Sequence, residues 1–244
     1  MITWFFFTMD KPSLPQLLSE KKAIIFDLYH TLTATEITSP QGLSTATILG
    51  IDRKLWSQHF MDKSRDRLTG KTTDAYTVIR DLAHAIDPSI PEELIRQAVE
   101  HRARRFEESL ELMPESSTET IRYLKSKGKK VALLSNADVI ETKGWVKCPA
   151  GPYFDATIFS CEVGYMKPDI EIYKLCLDRL GVEPRDSVFV GDGGSNELYA
   201  ARSMGITTIM VTGIARMIWP EKLPSIEKDA DYVIESVSEL INNI

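Results

Sequence analysis

The feature that most constrains this chain is a series of short, unbroken apolar runs, each bordered by helical patterning and several ending in a polar residue. Lys22–Leu28 carries Ile24, Ile25 and Phe26 and brings the chain to Asp27. Lys130–Leu134 ends at Ser135, Thr157–Phe159 follows, and Ser187–Val190 ends at Gly191-Asp192. Thr207–Val211 and Tyr232–Ile234 complete the series. Continuous rather than alternating hydrophobicity suits strands covered on both faces, as in a parallel sheet. Strand alternating with helix predicts a doubly wound, Rossmann-like α/β fold. Such folds bind ligands at the carboxyl ends of their strands, where these polar residues fall. Helix signals lie between the runs. Ser116-x-x-Glu119 and Ser236-x-x-Glu239 read as capping boxes, and Gly128 and Gly181 sit where C-terminal caps belong.

Residues 36–112 break the alternation. They hold no convincing strand and read as helices over roughly 41–50, 52–69, 73–86 and 91–111. An all-helical insertion after the first strand predicts a cap domain, 36–112, on a core made of 21–35 and 113–244. Residues 1–20 are expected to form an extension outside the main fold. Within them Trp4 to Phe7 is strongly apolar, but Thr8, Asp10 and Lys11 break the run. It falls far short of the ~20 apolar residues of a membrane span, and no secretory signal is visible.

Charge and cysteine usage narrow the function. A net charge of −6 gives no electrostatic reason to bind nucleic acid or an anionic membrane. Cys148, Cys161 and Cys176 show neither paired zinc spacing nor an even disulfide framework, which fits a reduced, cytoplasmic compartment.

Four segments carry candidate chemistry. Ile24-Ile25-Phe26-Asp27-Leu28-Tyr29-His30-Thr31-Leu32 places a carboxylate at a strand tip before a polar turn, a natural covalent nucleophile. Leu133-Leu134-Ser135-Asn136 puts a hydroxyl and an amide at a second strand end. Gly164-Tyr165-Met166-Lys167-Pro168-Asp169 holds a lysine just before a helix. Val188-Phe189-Val190-Gly191-Asp192-Gly193-Gly194-Ser195-Asn196-Glu197 supplies a strand-end carboxylate, a glycine pair and a second acid at a helix start. In order and spacing the four resemble the four motifs of the haloacid dehalogenase-like superfamily over nearly all of residues 22–240, and the insertion resembles that superfamily's type 1 helical cap.

The resemblance implies a hydrolase with Asp27 as nucleophile and a Mg2+ ion held by Asp27, Asp192 and the Tyr29 carbonyl, with Glu197 as a further ligand or support. An all-oxygen site suits magnesium, which neutralises the approach of a phosphorylated substrate to a carboxylate. Ser135, Asn136 and Lys167 would hold the transferring group, with Lys167 also restraining Asp27. One position departs. Most phosphatases of the superfamily carry an acid two residues after the nucleophile, and this chain has Tyr29, a weak donor and a poor base at neutral pH. The superfamily's 2-haloacid dehalogenases resemble it there, but they replace the metal-binding acid that Asp192 represents. The metal site weighs more, so a phosphatase acting on a small phosphorylated metabolite is expected. Dehalogenation, or a binding relative without turnover, is the alternative. His30 is a candidate substitute donor.

In the helix near 91–111, Ile95, Ala98, Val99, Phe106 and Leu110 form one apolar stripe with Arg102 in its middle. A long cation inside such a stripe snorkels or pairs with a carboxylate, and the alternative for Arg102 is a contact with an anionic substrate across the cap. Trp56, His59, Phe60 and Lys63 share a face of the preceding cap helix and read as packing. A monomer or homodimer is expected, with neither a nucleic-acid nor a membrane partner.

Overall fold

The computed structural model describes residues 11–39 and 42–241. Helix α1 (Leu14–Glu20) leads into strand β1 (Ala23–Phe26), and an all-helical stretch follows: α2 (Thr35–Thr38), α3 (Thr45–Leu49), α4 (Arg53–Asp62), α5 (Ser64–Leu68), α6 (Ala75–Ile86) and α7 (Glu92–Glu111). Strand and helix then alternate through α8 (Glu115–Ser126), β2 (Lys130–Ser135), β3 (Ala156–Phe159), α9 (Ser160–Val163), α10 (Ile170–Leu180), β4 (Ser187–Gly191), α11 (Glu197–Ser203), β5 (Thr207–Val211), α12 (Gly213–Ile218), α13 (Leu223–Glu227) and β6 (Tyr232–Ile234). The strands form one parallel sheet in the order β3-β2-β1-β4-β5-β6, the doubly wound fold expected from the sequence.

Strand periodicity divides the core into two layers. Ile24, Phe26, Val131, Leu133, Val188 and Val190 face one side with Ile121 and Leu124 of α8. Ala23, Ile25, Ala132, Leu134 and Phe189 face the other, against Ile172, Tyr173 and Cys176 of α10. The insertion has a core of its own around Trp56, Ile79, Ile95 and Ala98, which also takes in Ile140 from the loop after β2.

Register sets the level of the site. Phe26 stands beside Leu133 of β2 and Val190 of β4, and the Asp27 N–H donates to the Val190 carbonyl at 2.9 Å. Asp27, Ser135 and Asp192 therefore leave three adjacent strands at nearly one height. The chain moves from β1 outward to β2 and β3, then crosses back to β4 on the other side. In doubly wound sheets the ligand crevice lies at that switch of direction.

Local signals are read with mixed success. The Ser236 box forms, with Glu239 reaching back to its N–H. The Ser116 box does not cap a helix, because Pro114 fixes an extended backbone and starts α8 at Glu115. Gly181 (φ +60°) closes α10 and Gly128 (φ +74°) lies just past α8, both left-handed. The long helix expected over 52–69 is broken at Lys63. In the amino-terminal segment, Leu17 and Leu18 of α1 are buried in the sheet's own core, so part of the expected outer extension belongs to the main fold. Residues 1–10, with the apolar run at Trp4–Phe7, lie outside the described residues. Among the described residues no helix is long and apolar enough to cross a membrane.

Candidate active site

Lys167 is the centre of the site. Its side chain is fully buried, and its Nζ donates to Asp27 Oδ1 at 2.5 Å and to Glu197 Oε2 at 2.6 Å. Asn136 clamps the lysine's backbone, donating from Nδ2 to the Lys167 carbonyl at 2.8 Å and accepting its N–H on Oδ1 at 2.7 Å. The Asn136 side chain, expected at the transferring group, is here engaged with the Lys167 backbone. Its amide brackets one residue, at the N–H and at the carbonyl, which keeps the side chain turned to Lys167. Thr31 Oγ1 donates to the other Asp27 oxygen at 2.9 Å.

Asp27, Asp192 and Glu197, all buried, bring one carboxylate oxygen each to within 4.8 Å of one another. The backbone around Asp192 is shaped for this. Gly194 N–H donates to Asp192 Oδ1 (2.8 Å) and Gly193 N–H to Glu197 Oε1 (3.0 Å), with Gly193 at φ +87°. A Cβ on Gly191 would lie 2.1 Å from Glu197 Oε1, so only glycine leaves room for that acid. Three carboxylates against one ammonium leave an excess of two negative charges in a buried space. Burial and the neighbouring acids raise the Asp192 carboxyl, and raise that of Glu197 well above its ordinary value against the pull of Lys167. Burial works against the Lys167 charge, but Asp27 and Glu197 outweigh it and hold the ammonium protonated. A divalent cation matches this donor set in charge and in hardness. Ser135 adds a second sign of a ligand: its hydroxyl is buried and has no hydrogen-bond partner.

The family of haloacid dehalogenase-like hydrolases matches residues 21–205. This chain is a haloacid dehalogenase-like hydrolase. It is 39% identical over 97 residues to bifunctional epoxide hydrolase 2 of Rattus norvegicus, a match covering 38% of this chain and 17% of the relative. It is 30% identical over 128 residues to glyceraldehyde 3-phosphate phosphatase of Methanocaldococcus jannaschii, covering 50% and 52%. The chain thus spans about half or less of the length of these two relatives. L-2-haloacid dehalogenase from Xanthobacter autotrophicus superposes with a TM-score of 0.62 at 19% identity, over 90% of this chain and 96% of that one, a likeness of fold.

Tyr29 and His30 give this hydrolase its particular character. The Tyr29 phenol does not turn toward Asp27. It donates to the Glu141 carbonyl at 2.6 Å and packs edge-on against Phe106 at 5.0 Å. Burial, with the Glu141 carboxylate nearby, raises its pKa well above the usual tyrosine value. The Tyr29 main chain makes a bridge with Thr33 whose bonds run through Leu28 and His30, so its own carbonyl takes part in neither. His30 adopts φ +64° and holds its ring between Glu36 (Nε2 to Oε2, 3.5 Å) and Asp192 (Nδ1 to Oδ2, 3.8 Å), edge-on to Trp219 at 4.8 Å.

Arg102 lies outside this cluster. It pairs with Glu141 Oε1 and stands 3.8 Å from Asp138, while Arg67 reaches Asp138 at 3.1 Å. Of the partners expected for Arg102, the structure shows the carboxylate, the counter-charge that a long cation inside an apolar stripe calls for. Sequence reasoning missed Thr31, Glu36, Glu141 and Trp219. Thr31 stands within the first motif, four residues after Asp27, and was legible by position. Glu141 and Trp219 come from loops whose local sequence carries no signal of the contact.

Proposed function

We propose that this hydrolase is a magnesium-dependent phosphatase that acts on a small phosphorylated metabolite through an aspartyl-phosphate on Asp27. The convergence of Asp27, Asp192 and Glu197 around Lys167 carries this reading. Asp27, Asp192 and the Tyr29 carbonyl would hold the ion, with Glu197 as further ligand or support. When bound, Mg2+ offsets the excess negative charge and polarises the phosphoryl oxygens. Thr31 and Lys167 fix the Asp27 carboxylate, so one oxygen is presented to phosphorus. Ser135 and Lys167 bind the transferring oxygens. Attack forms the Asp27–phosphorus bond and breaks the bond to the leaving oxygen, which departs with the electron pair. Water then attacks phosphorus, releases inorganic phosphate and restores Asp27. The name of the Methanocaldococcus relative supports phosphate-ester chemistry.

The leaving oxygen needs a proton unless it is already a stable anion. Tyr29 is engaged with Glu141 and cannot readily serve. The favoured substrates are therefore acyl and aryl phosphates, with the helical insertion, residues 36–112, acting as a cap that selects among them. Dehalogenation is the second reading, and Tyr29 is the observation in its favour: a halide leaves without a proton. A screen of phosphomonoesters, acyl phosphates and 2-haloacids, each with Mg2+ and with EDTA, separates the readings. The phosphatase reading requires Mg2+-dependent phosphate release. Metal-independent halide release would replace it with dehalogenation, and metal-dependent ligand binding without any turnover would leave a binding module.

A further inference from the structure

Asn136 grips the Lys167 backbone from within the sheet domain, and a second grip comes from the residues that follow the lysine. The Asp169 N–H donates to the Met166 carbonyl at 2.7 Å, and Asp169 Oδ2 accepts the Met166 N–H at 3.2 Å. These two bonds close the turn 166–169 around Lys167. Asp169 also stands at the N-cap of α10, where an aspartate ordinarily accepts an N–H from the helix's first turn. Its carboxylate makes no such bond. It turns back to Met166, and both of its oxygens accept from Arg65 of α5: Nη1 to Oδ1 at 3.2 Å and Nη2 to Oδ2 at 2.9 Å. Two parallel bonds between a guanidinium and a carboxylate fix direction as well as distance. Helix α5 is seated for this contact. Gly70, just past its end, has φ +71°, and a Cβ there would lie 2.0 Å from the Cys161 carbonyl oxygen. Glycine thus lets the end of α5 approach α9 of the sheet domain more closely than a side chain would permit. The same helix sends Arg67 to Asp138 at 3.1 Å, two residues after Asn136. One short helix of the insertion therefore holds both the loop that carries the lysine and the loop that carries its clamp.

We propose that Arg65 is a positioning residue for Lys167. Through Asp169 it holds the turn 166–169, and with it the Lys167 side chain, where Nζ meets Asp27 and Glu197. It acts from the helical insertion and touches none of the reacting atoms. The proposal rests on the reading of Lys167 as part of a phosphoryl-transfer site.

The Arg65 side chain is 63% exposed, so its variants should fold. With acetyl phosphate and Mg2+, Arg65→Gln should lower kcat about fivefold, the ceiling for an exposed pair, with KM within about twofold of wild type. Arg65→Lys keeps the charge but loses the fork, and should recover part of the rate. Lys71→Gln breaks the exposed pair with Asp66, which lies wholly within the insertion, and should leave kcat unchanged. Because the Arg65 pair is exposed, about 1 M NaCl should shrink the difference between wild type and Arg65→Gln. Hydrogen exchange of the backbone amides reads the same positioning without turnover. Exchange at Met166 and Lys167 should quicken about fivefold in Arg65→Gln and stay at the wild-type rate in Lys71→Gln. A wild type that releases no phosphate removes the phosphatase reading, and the exchange rates then decide the positioning alone. Unchanged exchange at Met166 and Lys167 in Arg65→Gln overturns the proposal, whatever the rate does. So does faster exchange with an unaltered kcat in an active enzyme, or an equal loss of rate in Lys71→Gln.

Discussion

Asp27→Asn keeps nearly the same shape and removes the proposed nucleophile, so turnover should be lost while the thermal transition stays close to wild type. A variant that retains a near-normal rate would show that the reaction does not pass through Asp27. Tyr29 offers a finer test. With its phenol held by the Glu141 carbonyl, Tyr29→Phe should cost stability of about 1 kcal/mol, the net worth of one hydrogen bond. It should leave unchanged a steep dependence of rate on leaving-group acidity. Should the wild type hydrolyse alkyl phosphates as fast as aryl ones, another group supplies the proton, and His30 is the first to replace. His30 and Glu36 also make a pH prediction for the metal-free protein. Burial opposes both charges, but the pair brings the Glu36 carboxyl down to about 2 and, with Asp192, raises the imidazole above 6.5. The Glu36 contribution is complete above its ordinary 4.5 and fades toward pH 2, and the His30 contribution is complete below 6.5 and fades as pH rises through the elevated value. His30→Gln should therefore cost most stability between about pH 4.5 and 6.5, measured by urea unfolding in EDTA. An equal loss at pH 9 would show that the pair contributes no charge. Residues at this scale were legible where a motif fixes them, as with Asp27, Ser135, Lys167, Asp192 and Glu197. The direction of the Tyr29 phenol was not, since it depends on Glu141, 112 residues away.

Among the elements, β1 explains why so much of the site was readable. A central parallel strand must be apolar on both faces, so Ile24-Ile25-Phe26 announces itself, and the first charged residue after it marks the strand's carboxyl end. The same holds for β2 at Ser135 and β4 at Asp192. Helix α1 is the counterexample. Its seven residues are too few for a clear amphipathic period, yet Leu18 is 1% exposed against the core. Leu18→Ala should destabilise by about 2–5 kcal/mol, the range for truncating a buried leucine. A change within 0.5 kcal/mol in urea denaturation would return this segment to the status of an outer extension.

At the scale of the whole molecule, the helical insertion and the sheet domain are joined by buried charge. Arg67 and Arg102 from the insertion meet Asp138 and Glu141 from the loop after β2, two of each sign. Removing one partner strands the others, so Arg102→Met should cost about 3–5 kcal/mol, and adding Glu141→Gln should recover part of it. If Arg102→Met instead raised KM without loss of stability, Arg102 would be a substrate contact after all. The same loop accepts the Tyr29 hydroxyl, which ties the joint between the two parts to the turn that follows Asp27. The central claim is covalent phosphoryl transfer to Asp27, and it is tested most directly by mass spectrometry of the Asp27 peptide after rapid acid quench during turnover of acetyl phosphate with Mg2+. The account predicts a transient gain of one phosphoryl group on Asp27, absent in EDTA and in Asp27→Asn. Phosphate release with no adduct at Asp27 would contradict it, as would an alkyl ester there after incubation with a 2-haloacid in EDTA.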